Sequence, residues 1–139
     1  MTRVAPGLTV PDSVRLKRLL GRPILLVFYN PTSRTAEELL KFAQSVQDAD
    51  KSQVTVVGLA VTDDGEGALK QYTDLKLNFL LLSGKGLKQT YAVEATPKLV
   101  VLDPAGVVRG ALVGWGREIP HVIVDEIKRW QRVPLPVPR

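Results

Sequence analysis

Residues 24–29, Ile24-Leu25-Leu26-Val27-Phe28-Tyr29, form an unbroken apolar and aromatic run that follows Gly21 and Pro23. A continuous run of this length and bulk is typical of a strand buried on both faces of a sheet. Residues 30–33, Asn30-Pro31-Thr32-Ser33, then supply turn-forming and helix-capping side chains. The sequence therefore predicts a central strand that leads directly into a turn and a helix.

The helix after this turn has a clear apolar period. Apolar residues recur at helical spacing from Ala36 to Val46, and Glu37 and Glu38 lie in the first turn, where carboxylates suit the helix dipole. The pattern predicts a helix that starts near Arg34 and fades by residues 48–50. Three hydroxyl residues are its candidate N-caps: Thr32, Ser33 and Thr35.

The remaining long apolar runs complete an α/β pattern. Residues 54–61 are rich in β-branched side chains and predict a second buried strand, parallel to the first and joined to it by a right-handed crossover. Residues 98–103 and 107–113 predict two strands linked by the tight turn at 104–106, and therefore an antiparallel hairpin. A last helix is predicted from residue 119 or 120 to Trp130.

Shorter segments between these elements give weaker signals. Asp64 is placed to cap a helix over about residues 66–73, and the acidic cluster around it is interpreted as a solvated loop rather than a metal site. Residues 79–82 predict a terminal strand or an extended connection, and residues 86–90 a short helix. The fold class predicted from the whole pattern is α/β, with a central mixed β-sheet and helices on both faces.

The composition limits the classes of function. A chain of 139 residues suits one globular domain, predicted over residues 1–133, with an extended Pro-rich tail over residues 134–139. The formal net charge is +5, but the basic residues are scattered, so the sequence predicts no nucleic-acid binding. No apolar stretch reaches the ~20 residues of a transmembrane helix, and residues 1–11 lack a signal-peptide pattern. These observations predict no membrane contact and a cytoplasmic location by default, or an extracytoplasmic one if a leader has been removed.

The chain contains no cysteine and a single histidine, His121. The lack of cysteine excludes disulfides, thiolate nucleophiles and sulfur-ligated metals among these residues. His121 falls at or just before the first turn of the last helix, and no pattern places it beside a nucleophile. The sequence therefore predicts no metal site and no cofactor.

Four segments, in order, resemble the thioredoxin-like superfamily, in its TlpA/ResA-like (AhpC/TSA-type) branch. Residues 5–12 resemble the family's entry segment, Ala-Pro-x-Phe-x-Leu-x-Asp, and residues 21–29 resemble its Gly-Lys-Pro-strand-Phe-Trp run. Residues 91–97 resemble the segment that ends in the family's cis-proline, and residues 99–113 its strand, Asp-Pro-x-Gly turn and strand. The resemblance implies a thioredoxin-like fold with a cis Thr96–Pro97 peptide.

The departure from this family falls at its chemistry. The positions of the family's Cys-x-x-Cys are taken here by Ser33-Arg34-Thr35-Ala36. Thiol–disulfide exchange needs a thiolate and a resolving thiol, and peroxide reduction needs an oxidisable cysteine. A serine hydroxyl replaces neither, so we assign no catalytic residue and interpret Ser33 as the cap of the helix.

The favoured interpretation is a redox-inactive thioredoxin-like domain that acts as a protein-binding or scaffold module. The resemblance places its binding surface at the former active site, where an extended peptide pairs with the segment before the proline. The alternatives are a thiol–disulfide oxidoreductase or peroxiredoxin-like antioxidant protein by family membership, and a fragment of a larger protein. The partner is then a protein or peptide, or a second copy in a homodimer. The predicted binding residues are Thr32, Ser33, Arg34, Thr96 and Pro97.

The two tryptophans are predicted to be structural. Trp115, between Gly114 and Gly116, either contacts a partner or packs within its loop, and the sequence favours packing. Trp130 is predicted to close the core beneath the last helix.

Overall fold

Six strands form one mixed β-sheet in the computed structural model, which describes the backbone of residues 2–3 and residues 19–49, 53–84 and 91–131. Their spatial order is β1-β4-β3-β2-β5-β6. β2 pairs parallel with β3 and β3 with β4, whereas the other three pairings are antiparallel. The predicted mixed sheet is confirmed. The strands are β1 (Thr2–Arg3), β2 (Ile24–Tyr29), β3 (Thr55–Ala60), β4 (Leu80–Ser83), β5 (Lys98–Leu102) and β6 (Val108–Val113).

Three helices are described: α1 (Ala36–Ala49), α2 (Gly65–Asp74) and α3 (Ile119–Gln131). The predicted cap of α2 is present, because the Asp64 carboxylate accepts the Gly67 N–H at 2.8 Å. α1 starts at Ala36 rather than near Arg34. None of these helices combines the length and the apolar character needed to cross a membrane.

The alternation of β2 divides the interior into two clusters. Leu25, Val27 and Tyr29 belong to one cluster, whose helical members come from α1, α2 and α3. Ile24, Leu26 and Phe28 belong to the other, on the opposite face of the sheet. α1 and α2 share a face because β2→β3 and β3→β4 step in the same direction, and right-handed crossovers then place both helices on one side.

The prediction of helices on both faces is met only in part among the described residues. All three described helices contribute to one cluster, while Tyr91 and Val93 contribute to the other. The helix predicted over residues 86–90 lies outside the described residues, as do the entry segment at 5–12 and the tail at 134–139. Those three remain predictions.

β4 is not a terminal strand, because the backbone of Thr2 and Arg3 pairs with Ser83 and Leu82 beyond it. The sequence did not predict β1, since a two-residue strand is too short to show an alternating pattern.

The turn between β5 and β6 is closed around Asp103, at the end of the sheet that we call the lower end. Asp103 is 5% exposed, and its Oδ1 accepts the N–H groups of Ala105 and Val107 at 2.9 and 3.0 Å. Its Oδ2 accepts Arg109 Nε at 2.8 Å. Burial acts to raise the pKa of Asp103, but these hydrogen bonds and the Arg109 charge outweigh it and hold the pKa below its usual value.

A β-bulge directs Arg109 toward α3. Val101 pairs with Gly110 and Leu102 with Val108, so Arg109 is the extra residue of the bulge. Its guanidinium carbon lies 4.6 Å from the centre of the Trp130 ring. Trp130 is half-buried against the cluster that contains Leu25, Val27 and Tyr29. It therefore joins α3 to the sheet, in line with its predicted structural role.

Candidate functional site

Four segments meet at the opposite, upper end of the sheet. β2 and β3 are parallel, so the chain leaves both strands at this end. β5 is antiparallel to β2 and begins here, and β6 is antiparallel to β5 and ends here. The segments gathered at the upper end are residues 30–35, 61–64, 91–97 and 114–118.

The Thr96–Pro97 peptide lies among these segments and is cis, the isomer that the resemblance implies. The Pro97 carbonyl accepts the N–H of Gly114 at 2.8 Å, which ties the peptide to the end of β6. Gly114 has a φ of +99°, a left-handed conformation that glycine adopts without a steric penalty.

A recess of about 180 Å³ opens in front of this peptide. It joins the turn after β2 and the loop after β3 to the segment before the proline. Its lining residues are Asn30, Val61, Val93, Glu94, Ala95 and Thr96.

The backbone from Glu94 to Thr96 is open on the recess side. Val93 is buried and anchors the segment at one end, while Pro97 is anchored by Gly114 at the other. Between these anchors, the N–H and C=O groups of residues 94–96 form no hydrogen bond with any other residue that the structure describes. Residues 94–96 bend along the recess and form a short unpaired edge of it.

The turn from Asn30 to Thr35 shapes the start of α1. Asn30 Oδ1 accepts the N–H of Thr32 at 3.0 Å and its hydroxyl at 2.9 Å, and the Asn30 carbonyl accepts the Ser33 N–H at 3.0 Å. Asn30 thus organises the turn with both its side chain and its backbone, and it also lines the recess.

Ser33 does not cap α1, which corrects the sequence interpretation. The first helical hydrogen bond runs from the Leu39 N–H to the Thr35 carbonyl at 3.0 Å, so Thr35 is the N-cap residue. The Ser33 hydroxyl lies 3.3 Å from the Thr35 hydroxyl and 3.4 Å from the Thr35 N–H. The reason is that two successive turns, closed by the Ser33 and Ala36 N–H groups, delay the helix by two residues.

The five predicted binding residues are divided between two places. Thr96 lines the recess, and Pro97 is buried behind it. Thr32, Ser33 and Arg34 are exposed on the turn, and they are not among the residues that line the recess. The sequence did not identify Asn30, Val61, Val93, Glu94 or Ala95; the signal for them was that strand ends of known direction gather at one edge of a sheet.

α2 also contributes to the site, which no motif indicated. Gln71 Nε2 donates to the Pro31 carbonyl at 2.9 Å and so holds the turn before α1. Beneath the turn, Tyr29 is 1% exposed, and burial, followed by the interaction with Tyr72, raises the pKa of Tyr29 far above the ordinary tyrosine value. Burial therefore favours the protonated form of the Tyr29 hydroxyl.

The remaining sequence candidates have structural or exposed positions. Trp115 packs against Phe42 of α1 with ring centres 5.4 Å apart, as the favoured interpretation expects, although it also borders an open recess of about 380 Å³ along residues 113–119. His121 is exposed in the first turn of α3. The described ranges contain no group of acidic or histidine side chains able to hold a metal ion.

This mixed sheet, with the order β1-β4-β3-β2-β5-β6 and α1 between two parallel strands, defines a thioredoxin-like fold. The fold is similar to that of a protein described as the thiol:disulfide interchange protein DsbE from Chlorobium tepidum, with a TM-score of 0.79, 17% identity and coverage of 85% of this chain and 86% of that one. A thiol-disulfide isomerase from Corynebacterium glutamicum gives a TM-score of 0.75 at 17% identity, covering 88% and 89% of the two chains.

The chain belongs to the AhpC/TSA family, whose model matches residues 2–111. It is also similar to the methylamine utilization protein MauD of Methylorubrum extorquens, with 28% identity over 111 residues that cover 76% of this chain and 53% of MauD. The chain therefore spans about half the length of the curated relative that it matches.

Proposed function

We propose that this chain is a thioredoxin-like domain that binds an extended protein segment beside the Thr96–Pro97 peptide, without thiol chemistry of its own. The observation that carries this proposal is the open backbone of residues 94–96 in a recess that Asn30 also lines. By the resemblance, Ser33 and Ala36 take the positions of the family's cysteines. The names of the two structural neighbours refer to thiol–disulfide interchange and to a thiol–disulfide isomerase, whereas this chain has a similar fold and contains no cysteine.

The size and shape of the recess favour a peptide over a small molecule. Pockets for drug-sized ligands and cofactors usually exceed about 300 Å³, whereas this recess measures about 180 Å³. An extended chain needs only a short unpaired edge for its main-chain hydrogen bonds and room for alternate side chains. Residues 94–96 offer that edge, and Asn30 and Glu94 offer polar groups beside it.

Selection with phage-displayed random dodecapeptides tests the binding role. We expect peptides that bind the wild-type protein and lose at least about tenfold in affinity when Ala95→Trp fills the recess. Ala111→Trp is the matched control, because Ala111 is an exposed alanine on β6, outside the recess. Peptides that bind both variants equally well, or a selection that yields no binder, would contradict the proposal.

The second candidate is thiol–disulfide or peroxide chemistry, which membership of the AhpC/TSA family favours. It requires every thiol to come from another molecule, because these 139 residues contain none. Insulin-reduction and peroxide-consumption assays on the pure protein separate the candidates. Turnover above background would favour the enzyme and count against the binding module.

Restoring two cysteines tests whether the turn still has the geometry of the family. The double variant Ser33→Cys with Ala36→Cys is expected to form a disulfide and to gain insulin-reducing activity, since a thiol beside a helix N-terminus has a lowered pKa. The single variant Ser33→Cys is the control and lacks a resolving thiol. A double variant whose thiols remain free under oxidising conditions would show that Ser33 and Ala36 do not occupy the cysteine positions.

A further inference from the structure

Lys98, the first residue of β5, lies directly after the cis-proline and reaches back across the segment before it. Its Cα is in register with Phe28 of β2 and Val113 of β6, so its backbone is fixed between two strands. Its Nζ donates to the carbonyls of Tyr91 and Ala92 at 2.8 and 3.0 Å. One ammonium group therefore joins the start of the 91–97 segment to the strand that follows it.

The two carbonyls belong to a turn that is unfavourable without support. Ala92 has a φ of +51°, in the left-handed region that costs free energy for any residue with a Cβ. Hydrogen bonds from a charged donor are stronger than those between neutral groups, so the Lys98 ammonium offsets this cost. Packing also stabilises this turn, because the ring centres of Tyr91 and Phe28 lie 5.7 Å apart and Val93 is buried.

The position of this turn decides how residues 94–96 face the recess. Val93 is held inside by the core, Pro97 by Gly114, and the carbonyls at 91 and 92 by Lys98. Three fixed points over seven residues leave the intervening backbone little freedom. An edge held in its binding conformation loses less conformational entropy when a partner pairs with it.

We infer that Lys98 is a positioning residue for the recess, which holds the turn at Tyr91 and Ala92 so that the backbone of residues 94–96 is presented as an open edge. The inference deepens the proposed function and rests on it, because such an edge is useful only to a partner that pairs with it. Lys98 acts through the turn and does not line the recess itself.

The test compares Lys98→Met, which keeps a similar chain length without donors, with Lys98→Arg, which keeps the charge and the donors. Lys98→Met is expected to shift the backbone amide NMR signals of residues 94–96 and to weaken the display-selected peptide about tenfold. Lys98→Arg is expected to keep both the wild-type amide signals and the wild-type affinity for the peptide. Lys70→Met, which removes one exposed positive charge from α2, is the control and leaves both unchanged.

Two further arms keep the outcomes separate. If Lys98→Met does not fold, Lys98→Gln replaces it and is expected to give the same changes in smaller measure. If Lys98→Met moves the amide signals but no selected peptide binds the wild-type protein, the proposed function fails and the positioning role stands. If peptides bind wild type and Lys98→Met equally well, with unchanged amide signals, the positioning role fails and the proposed function stands.

Discussion

The two ends of the sheet treat their polar groups in opposite ways. At the lower end, the buried Asp103 carboxylate accepts hydrogen bonds from Ala105, Val107 and Arg109. At the upper end, the backbone of residues 94–96 has no hydrogen-bonding partner among the described residues. Groups that the fold leaves unpaired are available to another molecule, so the closed turn stabilises the protein while the open segment is suited to binding.

The largest effect is expected at the closed end. Asp103→Ala removes the buried acceptor of two part-buried N–H hydrogen bonds and of the Arg109 guanidinium, and we expect it to lower the free energy of unfolding by about 2 kcal/mol. Urea unfolding measures this change. Asp125→Ala, on the exposed side of α3, is the control and is expected to stay within about 0.5 kcal/mol of wild type. If Asp103→Ala lowered the free energy of unfolding by less than about 1 kcal/mol, the contrast between a closed and an open end of the sheet would be contradicted.

Acid should weaken the closed end in a defined pH range. The pKa of Asp103 is lower in the folded protein than in the unfolded chain, where it is about 3.9, so its contribution is complete above that value. The contribution is lost as the pH falls through the folded pKa. The stability difference between wild type and Asp103→Asn should therefore be constant near neutral pH and shrink below about pH 3.9. A difference that persists unchanged in acid would contradict this assignment.

At the upper end, the cap of α1 gives an intermediate effect. Thr35→Ala puts alanine at the N-cap position, where it is disfavoured, and is expected to lower the free energy of unfolding by about 1 kcal/mol. Ser33→Ala is expected to cost less, because Ser33 lies before the N-cap and its hydroxyl makes only long contacts of 3.3 and 3.4 Å with Thr35. Thermal unfolding of both variants measures the order. A larger loss for Ser33→Ala would reinstate Ser33 as the cap.

The smallest effect is expected beneath the turn, where two tyrosines should respond with opposite signs. The Tyr29 hydroxyl is buried and has no partner in the described part of the chain, so Tyr29→Phe is expected to raise the free energy of unfolding by up to about 0.5 kcal/mol. The Tyr72 hydroxyl donates to the Phe79 carbonyl at 2.6 Å, so Tyr72→Phe is expected to lower the free energy of unfolding by about 0.5 kcal/mol. Equal changes in the two variants would contradict the assignment of partners.

The sequence predicts the interior of this fold well because periodic burial leaves a periodic pattern. Residues 24–29 form the predicted strand, and the helical spacing from Ala36 onward matches α1. Asp64 caps α2 as expected, since an Asx cap depends only on residues close in the chain.

The prediction fails where distant residues decide the local structure. The turn before α1 is held in part by Gln71, which donates to the Pro31 carbonyl from forty positions away in the chain, and no local signal reveals that bond. In the sequence, Val61 and Val93 have the pattern of core residues. They do contact the core, but the topology also places them in the lining of the recess. The resemblance to a family therefore predicts where the candidate site lies, whereas only the strand order identifies the residues that line it.

The bulge at Arg109 has a consequence for the solubility of the protein. β6 is the last strand of the sheet, and Val108 and Val113 on it are 50% and 59% exposed. A straight, apolar border strand is a template on which a neighbouring molecule adds its own strand and starts an aggregate. The extra residue interrupts the regular ladder between these two valines. We therefore expect the bulge to shorten the stretch on which a foreign strand can grow.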